Sequence, residues 1–541
     1  MLIGHVSDER DLALAGVEVE LTPAEEGAHG ALAAAVRSTA SGAIHADVAP
    51  GEYRIVLARD GFGPKHVVAR VAPQAPLRLR LLSDRLTGFV WPKWSRAPEH
   101  AELRLHAPEP IRAELWRYGL RKELVELLGW FDDHGPRATA QILPDGDFTQ
   151  TGVDWNRHGY ASPGHVRRVA APQRSGLYYV HAETPSGGFF AFPWVVAPAA
   201  PQARIAVLAA TMNWNAYNNF GGRSNYVNAD GLPATPTINA RLDLDRYRIG
   251  PQTTQAAPND AYPPLSYERP ELDCHVERDA QATDPMSGRL ASTLAPGLWR
   301  LLAWLEREGY AYDLYSDQQL HDGTLDLDAY DALLTESHPE YWSRAMYERT
   351  RGWVFERGGR LVYLGGNGID CEVEPVGDGA ARYLTQQPDP DDPADAGLES
   401  RFHRTVAPQS ELLGVTFTHA GEGTAAPYAA LAPGHWAFAG TGLGAGGVFG
   451  ANSLQERIPG GASGHETDKR SASSPDDLVL LARGLNADGG GAEMVYRDVP
   501  GPGGEVFSTG SITWIATLLV DAATSRVTAN VLDRFAPGAR A

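Results

Sequence analysis

Tyr330-Asp331-Ala332-Leu333-Leu334-Thr335-Glu336-Ser337-His338-Pro339-Glu340-Tyr341-Trp342 decides how the chain is read. Its first half is a short apolar run, the pattern of a strand buried on both faces. Its second half turns polar and carries His338 and Glu340. A helix over 343–356 follows and stops at Gly358-Gly359. The next apolar run, Arg360-Leu361-Val362-Tyr363-Leu364, ends in Gly365-Gly366-Asn367-Gly368. Two buried strands joined by a helix make a parallel unit with a right-handed crossover. Ligands of open α/β sheets bind outside the carboxyl ends of the strands, so His338, Glu340 and Asn367 are expected in one crevice.

Working outward, Arg204-Ile205-Ala206-Val207-Leu208-Ala209-Ala210 reads as another buried strand. A long polar, aromatic loop is expected after it, over 211–226. Residues 227–290 carry few regular signals and many prolines, and are expected to cover the crevice. A helix over 297–308 and a strand at Tyr312–Tyr315 continue the alternation. Strand and helix alternating over 204–364 predict a doubly wound α/β domain. Residues 384–475 are loop-rich. Later elements are expected at Leu478–Ala482 and Glu493–Tyr496, with a C-terminal helix over 511–522.

The first 200 residues read differently. Val17–Leu21, Gly51–Leu57, Val67–Val71 and Leu77–Leu81 alternate with period two. They predict a small β-sandwich over 1–86, similar to transthyretin-like regulatory domains. A second β-sandwich module is expected over 87–200, from strands such as Ala113–Arg117 and Leu177–Ala182. The Asp145-Gly146-Asp147 turn and the Trp155–Tyr160 segment are read as an ordered interdomain loop, ahead of a metal or sugar site. The α/β domain then takes 201–541.

A formal charge of −20 excludes a phosphate-neutralising surface, so no nucleic-acid partner is expected. Cys274 and Cys371 are too few for a disulfide framework or a thiolate metal site. The first residues lack a signal-peptide pattern, and no apolar run reaches the roughly 18–20 residues of a membrane span. A soluble, cytoplasmic protein is the expectation.

Several chemistries lack their motifs. There is no Gly-x-Ser-x-Gly elbow, no Walker loop and no dinucleotide fingerprint after the first strand. A metal site remains the strongest reading, because a hard cation takes oxygen ligands and His338 and Glu340 share one side of an extended segment. Two alternatives stay open. One is a Cys-dependent amidase using Cys371 and a histidine, and the other a non-catalytic carbohydrate- or ligand-binding protein.

From residue 87 to the C-terminus the chain resembles the large (beta) subunit of N,N-dimethylformamidase and its relatives. The resemblance is carried by Thr335-x-x-His338-Pro339-Glu340-Tyr341, by Gly358–Gly368, by Asn215–Tyr226 and by Ser266-Tyr267-Glu268-Arg269-Pro270. It extends to Leu115-Trp116-Arg117-Tyr118-Gly119 and Pro144–Phe148. The resemblance implies a glutamine-amidotransferase-like α/β domain that hydrolyses small N-substituted amides, formamide-like or urea-like. It implies a mononuclear ferric iron, Fe(III), held by two tyrosines and one glutamate. Carried onto this sequence the ligands are Glu340, Tyr226 and Tyr267, with Tyr217 and Tyr262 as the substitute pair. His338 and Asn367 are implied as catalytic groups around the metal, and Glu466 as general base. The chain is shorter than the large subunit and lacks a lectin-like insertion. A homo-oligomer without a small subunit is therefore expected.

Overall fold

Ile205, Val207 and Ala209 of the first central strand face one hydrophobic core, whereas Ala206 and Leu208 face another. The same alternation divides Ala332 and Leu334 from Leu333, and Val362 from Leu361 and Tyr363. Period-two side chains that are apolar on both sides need cover on both faces. The computed structural model, which describes residues 1–8, 12–24, 30–81, 83, 85–107, 109–131, 166–218, 220, 224–225, 235–236, 264–288, 290–377, 379–389 and 391–540, supplies that cover with helices. Ala295–Arg307 and Ala522–Phe535 pack on the first face. Arg344–Glu356 packs on the second.

The sheet has nine strands and two halves. Asp313–Ser316, Ile205–Ala209, Ala332–Thr335, Arg360–Tyr363 and Glu505–Ser508 run parallel in that order. Glu493–Asp498, Val479–Gly484, Tyr428–Ala430 and Val448–Phe449 extend it antiparallel. Register pairs Leu208 with Thr335, Thr335 with Tyr363 and Tyr363 with Ser508. Four carboxyl ends therefore finish level, and the chain leaves each of them on the same rim.

Three sequence expectations are corrected here. Thr211–Tyr217 is a helix, not a loop, although its asparagines favour neither helix nor strand. The buried environment decides it, since all but the last residue are inaccessible. Phe507-Ser508-Thr509-Gly510, read from the sequence only as what precedes the expected 511–522 helix, begins inside the fifth parallel strand, Glu505–Ser508. The expected helix over 511–522 is a turn followed by the short 3₁₀ segment Ile515–Thr517. The long helix begins at Ala522, where the Asp521 carboxylate accepts from the backbone N–H groups of Ala523 and Thr524, both at 3.1 Å. The Ser511, Thr513 and Thr517 hydroxyls bond to backbone carbonyls and compete with helix formation before that point.

The N-terminal segment forms two sheets, of three and four strands, closing on Ile3, Val19, Leu21, Ile55 and Leu57. The described residues between 86 and 197 form a three-stranded and a five-stranded sheet around Ile111, Leu115, Val180 and Trp194. This second pair of sheets joins the α/β core directly. The Trp299 indole donates to the Gly119 carbonyl at 2.8 Å, and the Arg117 guanidinium meets Glu306 at 2.5 Å. Among the described residues no helix is long and apolar enough to cross a membrane. The Asp145-Gly146-Asp147 turn, the Trp155–Tyr160 segment, Tyr226, Tyr262 and most of 227–263 lie outside the described residues.

Leu334 is fully buried in the middle of the central strand. Leu334→Ala is expected to cost about 2–5 kcal/mol by loss of transfer energy and creation of a cavity. A lower denaturant midpoint for the α/β transition, with the N-terminal sandwich transition unchanged, checks this.

Candidate active site

Three of the four level strand ends each deliver one component. The Ile205–Ala209 strand runs straight into the Thr211–Tyr217 helix, whose last residue is Tyr217. Ala332–Thr335 leads to His338 and Glu340, and Arg360–Tyr363 leads to the Gly365–Asp370 loop with Asn367. The segment carrying Glu466 and Asp468 lies against this last loop. Glycine is required where the loops cross. A Cβ on Gly365 would stand 2.7 Å from the Ser337 carbonyl oxygen, and one on Gly366 would stand 2.5 Å from that of Glu466. Asn367, Ile369 and His465 all hold positive φ, at 49°, 53° and 70°. Such backbone costs free energy in a β-branched residue like Ile369 and persists where the surroundings fix it.

The side chains meet at one corner. The Tyr217 hydroxyl lies 3.0 Å from Glu340 Oε2 and 3.1 Å from His338 Nε2. His338 Nε2 is 3.1 Å from the same Glu340 oxygen and 3.7 Å from Glu466 Oε2. On its other side His338 Nδ1–H donates to the Gly366 carbonyl at 3.0 Å, which fixes the ring. Asn367 Nδ2 donates to Glu466 Oε2 at 2.9 Å, and its backbone N–H donates to Asp468 Oδ1 at 2.7 Å. Asp468 Oδ2 accepts from the Tyr363 hydroxyl at 2.7 Å. The Asn367 side-chain oxygen Oδ1 is buried and has no hydrogen-bond partner among the described residues.

Electrostatics keep this corner charged. Burial opposes ionisation of Glu340, but the His338 hydrogen bond and the Arg401 charge hold its pKa at about 2. Burial also opposes the His338 charge, yet Glu466 and Glu340 lift that imidazole to about 9. Arg401 is buried with them and donates to Glu340 Oε1 at 2.6 Å. Burial lifts Asp468 to about 7 against the hydrogen bonds from Tyr363 and Asn367.

Sequence reasoning brought His338, Glu340, Asn367 and Glu466 to one place, and the structure joins all four. Tyr217, the substitute tyrosine, is joined to them. Tyr267 is not. Its hydroxyl accepts from Gln318 Nε2 at 2.5 Å, and its ring meets Trp94 edge-on at 5.3 Å. Tyr341 packs edge-on against Tyr383 and accepts from Asn225 Nδ2 at 2.8 Å. Cys371 is a poor nucleophile here, because burial pushes its thiol up and its Sγ–H faces the Leu384 carbonyl at 3.2 Å. The sequence reading missed Arg401, Asp370, Asp468 and Tyr363. Asp468 carried a signal, standing two residues after Glu466 in an extended segment. Arg401 carried none, since 61 residues separate it from Glu340.

A second acidic pair docks the helix that carries Tyr217. That helix has no side-chain cap of its own. Instead Asp317 Oδ2 accepts from the Met212 N–H at 2.8 Å, and Glu336 accepts from the Ala210 N–H and from Trp214 Nε1. These long-range carboxyls satisfy donors that a helix start leaves open. Burial raises Asp317 to about 7 and Glu336 to about 8.

With this geometry in view, the comparisons with known proteins fall into place. Residues 162–526 match the family described as N,N-dimethylformamidase beta subunit-like, C-terminal. The N,N-dimethylformamidase beta subunit of Paracoccus aminophilus is 26% identical over 288 residues, covering 44% of this chain and 36% of that protein. The subunit of the same name from Alcaligenes sp. is 27% identical over 290 residues, again 44% of this chain and 36% of that protein. The match thus spans about a third of the length of these curated relatives. Among solved structures, the major pilin subunit of Bacillus cereus aligns over 39% of this chain and 72% of that one at 12% identity. Its TM-score of 0.14 is too low to bear on the fold.

The acidic pair sets a pH dependence. Asp317 titrates near the ordinary carboxyl value when unfolded and at about 7 when folded, so the fold prefers its neutral form. Stability from this group is complete below about pH 4 and is lost as pH rises through 7. Asp317→Asn is expected to flatten the fall in melting temperature between pH 5 and pH 8 relative to the unaltered protein. An unchanged slope in thermal scans would count against a neutral Asp317.

Proposed function

The chain belongs to the N,N-dimethylformamidase beta subunit-like family, and on that premise we propose that it hydrolyses the C–N bond of a small N-substituted amide, formamide-like or urea-like. The observation that carries the reading is the meeting of the Tyr217 hydroxyl and Glu340 Oε2 at 3.0 Å beside His338. We read Glu340 and Tyr217 as two ligands of a mononuclear Fe(III), Tyr217 belonging with Tyr262 to the substitute pair that the resemblance implies.

The residues fit such an ion. Phenol and carboxylate oxygens are hard donors. Among the described residues no group of three or more His, Cys, Asp or Glu side chains could hold a metal ion, and the Tyr217 phenol would be a donor of another kind. Glu340, Glu466 and Asp370 outnumber Arg401 and His338 around the corner, an excess of negative charge that a cation offsets. The buried Oδ1 of Asn367, unpartnered among the described residues, adds an acceptor for a bound water or an amide N–H.

When bound, the ion supplies Lewis acidity, polarising the amide carbonyl and acidifying a water. The chain's own residues handle the protons and the positioning. Glu466, fixed by Asn367 Nδ2, accepts the proton of the attacking water. His338, its ring locked by the Gly366 carbonyl, presents Nε2–H to the departing amine. Asn367 holds the small polar end of the substrate. Burial of the whole group excludes bulk water and strengthens each interaction.

The architecture supports the amidotransferase-like reading of 201–541, since five parallel strands with helices on both faces put the site at their carboxyl rim. Both curated relatives are named as beta subunits. For this chain we read a homo-oligomer without a small subunit. The ten-residue edge strand Lys122–Phe131, with Leu124, Val125, Leu127 and Trp130 exposed, supports self-assembly.

Glu340→Ala is expected to lose bound iron and turnover together, with the circular dichroism spectrum retained. Tyr217→Phe is expected to weaken the visible phenolate-to-iron band and to lower kcat about 100-fold or more. A screen of formamides, N-substituted amides and ureas, with iron analysis of each variant, checks both. A Glu340→Ala protein holding full iron and full turnover would overturn the assignment.

A further inference from the structure

We propose that Arg401, held by Asp370, is a positioning residue that commits the two oxygens of Glu340 to different tasks. The inference rests on the reading of Glu340 as a metal ligand. Arg401 sits at the first position of the short helix Arg401–Thr405, whose start is capped by the Ser400 hydroxyl. Its terminal nitrogen donates to Glu340 Oε1 at 2.6 Å and also reaches Asp370 Oδ2. Its Nε–H donates to the same Asp370 oxygen at 2.8 Å. The guanidinium, Glu340 and Asp370 are all buried, and no more than 8% of any of the three side chains is exposed.

The direction of each bond matters. Oε1 of Glu340 is taken up by the guanidinium, so Oε2 is the oxygen turned to the Tyr217 hydroxyl and His338 Nε2. A carboxylate tied in this way offers one oxygen to a cation instead of chelating it with both. The guanidinium also draws charge from the carboxylate, which makes Glu340 a weaker donor and leaves a bound cation more acidic. A planar fork fixes orientation in a way that a flexible ammonium does not.

The anchor is built from the same loop that carries Asn367. The Asp370 N–H and the Cys371 N–H both donate to the Glu340 carbonyl, at 2.9 and 3.1 Å, and the Ile369 N–H donates to the Pro339 carbonyl at 2.8 Å. The Phe402 N–H closes the circuit onto the Asp370 carbonyl at 2.8 Å. The left-handed backbone at Asn367 and Ile369 is what turns this loop so that Asp370 faces Arg401. Main chain and side chain thus hold Glu340 from both ends.

Outer partners of ligating groups commonly tune metal affinity by about 10- to 100-fold. Arg401→Lys keeps the charge and loses the fork, and Asp370→Asn keeps the shape and loses the anchor. Full-length protein is titrated with ferric iron, and metal affinity, the visible band, kcat and KM are read for each variant. Both variants are expected to fold, to bind iron about ten-fold more weakly and to shift the band. The fall in kcat is expected to exceed any change in KM. A band in the unaltered protein that both variants leave unshifted, with affinity unchanged, overturns this inference alone. Absence of any band in the iron-loaded unaltered protein overturns the metal reading and this inference with it. If Arg401→Lys fails to fold, Asp370→Asn decides.

Discussion

The interior of this protein holds an ionised carboxylate, Glu340, and much of the surrounding architecture follows from that. Removing a carboxylate from water costs several kcal/mol unless fixed partners replace the solvent. Here the partners come from three stretches of chain: Tyr217, His338, and Arg401 held in turn by Asp370. None of them is free to relax. Each is itself bonded to a main-chain group or to another buried charge, as His338 is to Gly366 and Arg401 to Asp370. Such preorganisation is what a catalytic centre needs, since dipoles already in place need not reorient during the reaction.

The scaffold meets this demand by geometry. Level strand ends give a rim on which short loops can be aimed at one another, and glycines at Gly365 and Gly366 let the loops touch through their backbones. The antiparallel half of the sheet serves the same end. It extends the sheet beyond Glu505–Ser508, and two short antiparallel pairings beside it, Ala425–Ala426 with Ser463–Gly464 and Thr416–Thr418 with Thr467–Lys469, hold the chain before and after Glu466. The acid that we read as the base therefore lies between two short antiparallel pairings, outside the parallel strands.

What could be read from the sequence divides along physical lines. Buried parallel strands announce themselves, because both faces must be apolar, and Ala332–Thr335 and Arg360–Tyr363 were legible for that reason. His338, Glu340 and Asn367 were legible because strand ends are where polar groups collect. The helix Thr211–Tyr217 was not, because its stability comes from burial and from the remote Asp317 and Glu336, not from its own residues. Glu505–Ser508 was hidden by its sequence, Glu-Val-Phe-Ser, whose two apolar residues are flanked by polar ones. Arg401 gave no local sign, since its partners are set by the fold and not by its neighbours in sequence. The tyrosines show the limit most clearly: Tyr217 and Tyr267 occupy equally distinctive motifs, and only the path of the backbone separates the one beside Glu340 from the one beside Gln318.

The order of strands also bears on how the molecule is made. Glu505–Ser508 lies between Arg360–Tyr363 and Glu493–Asp498, so the two halves of the sheet meet only through a segment near the end of the chain. A ribosome releases the N-terminal sandwich and the first four parallel strands long before that segment emerges. During this interval the edge of Arg360–Tyr363 stands open, with Leu361 and Val362 lacking the neighbour they later have. The nascent protein thus passes through a stage in which half a sheet waits for its keystone, and cellular factors that shield unpaired strand edges have most to offer it then.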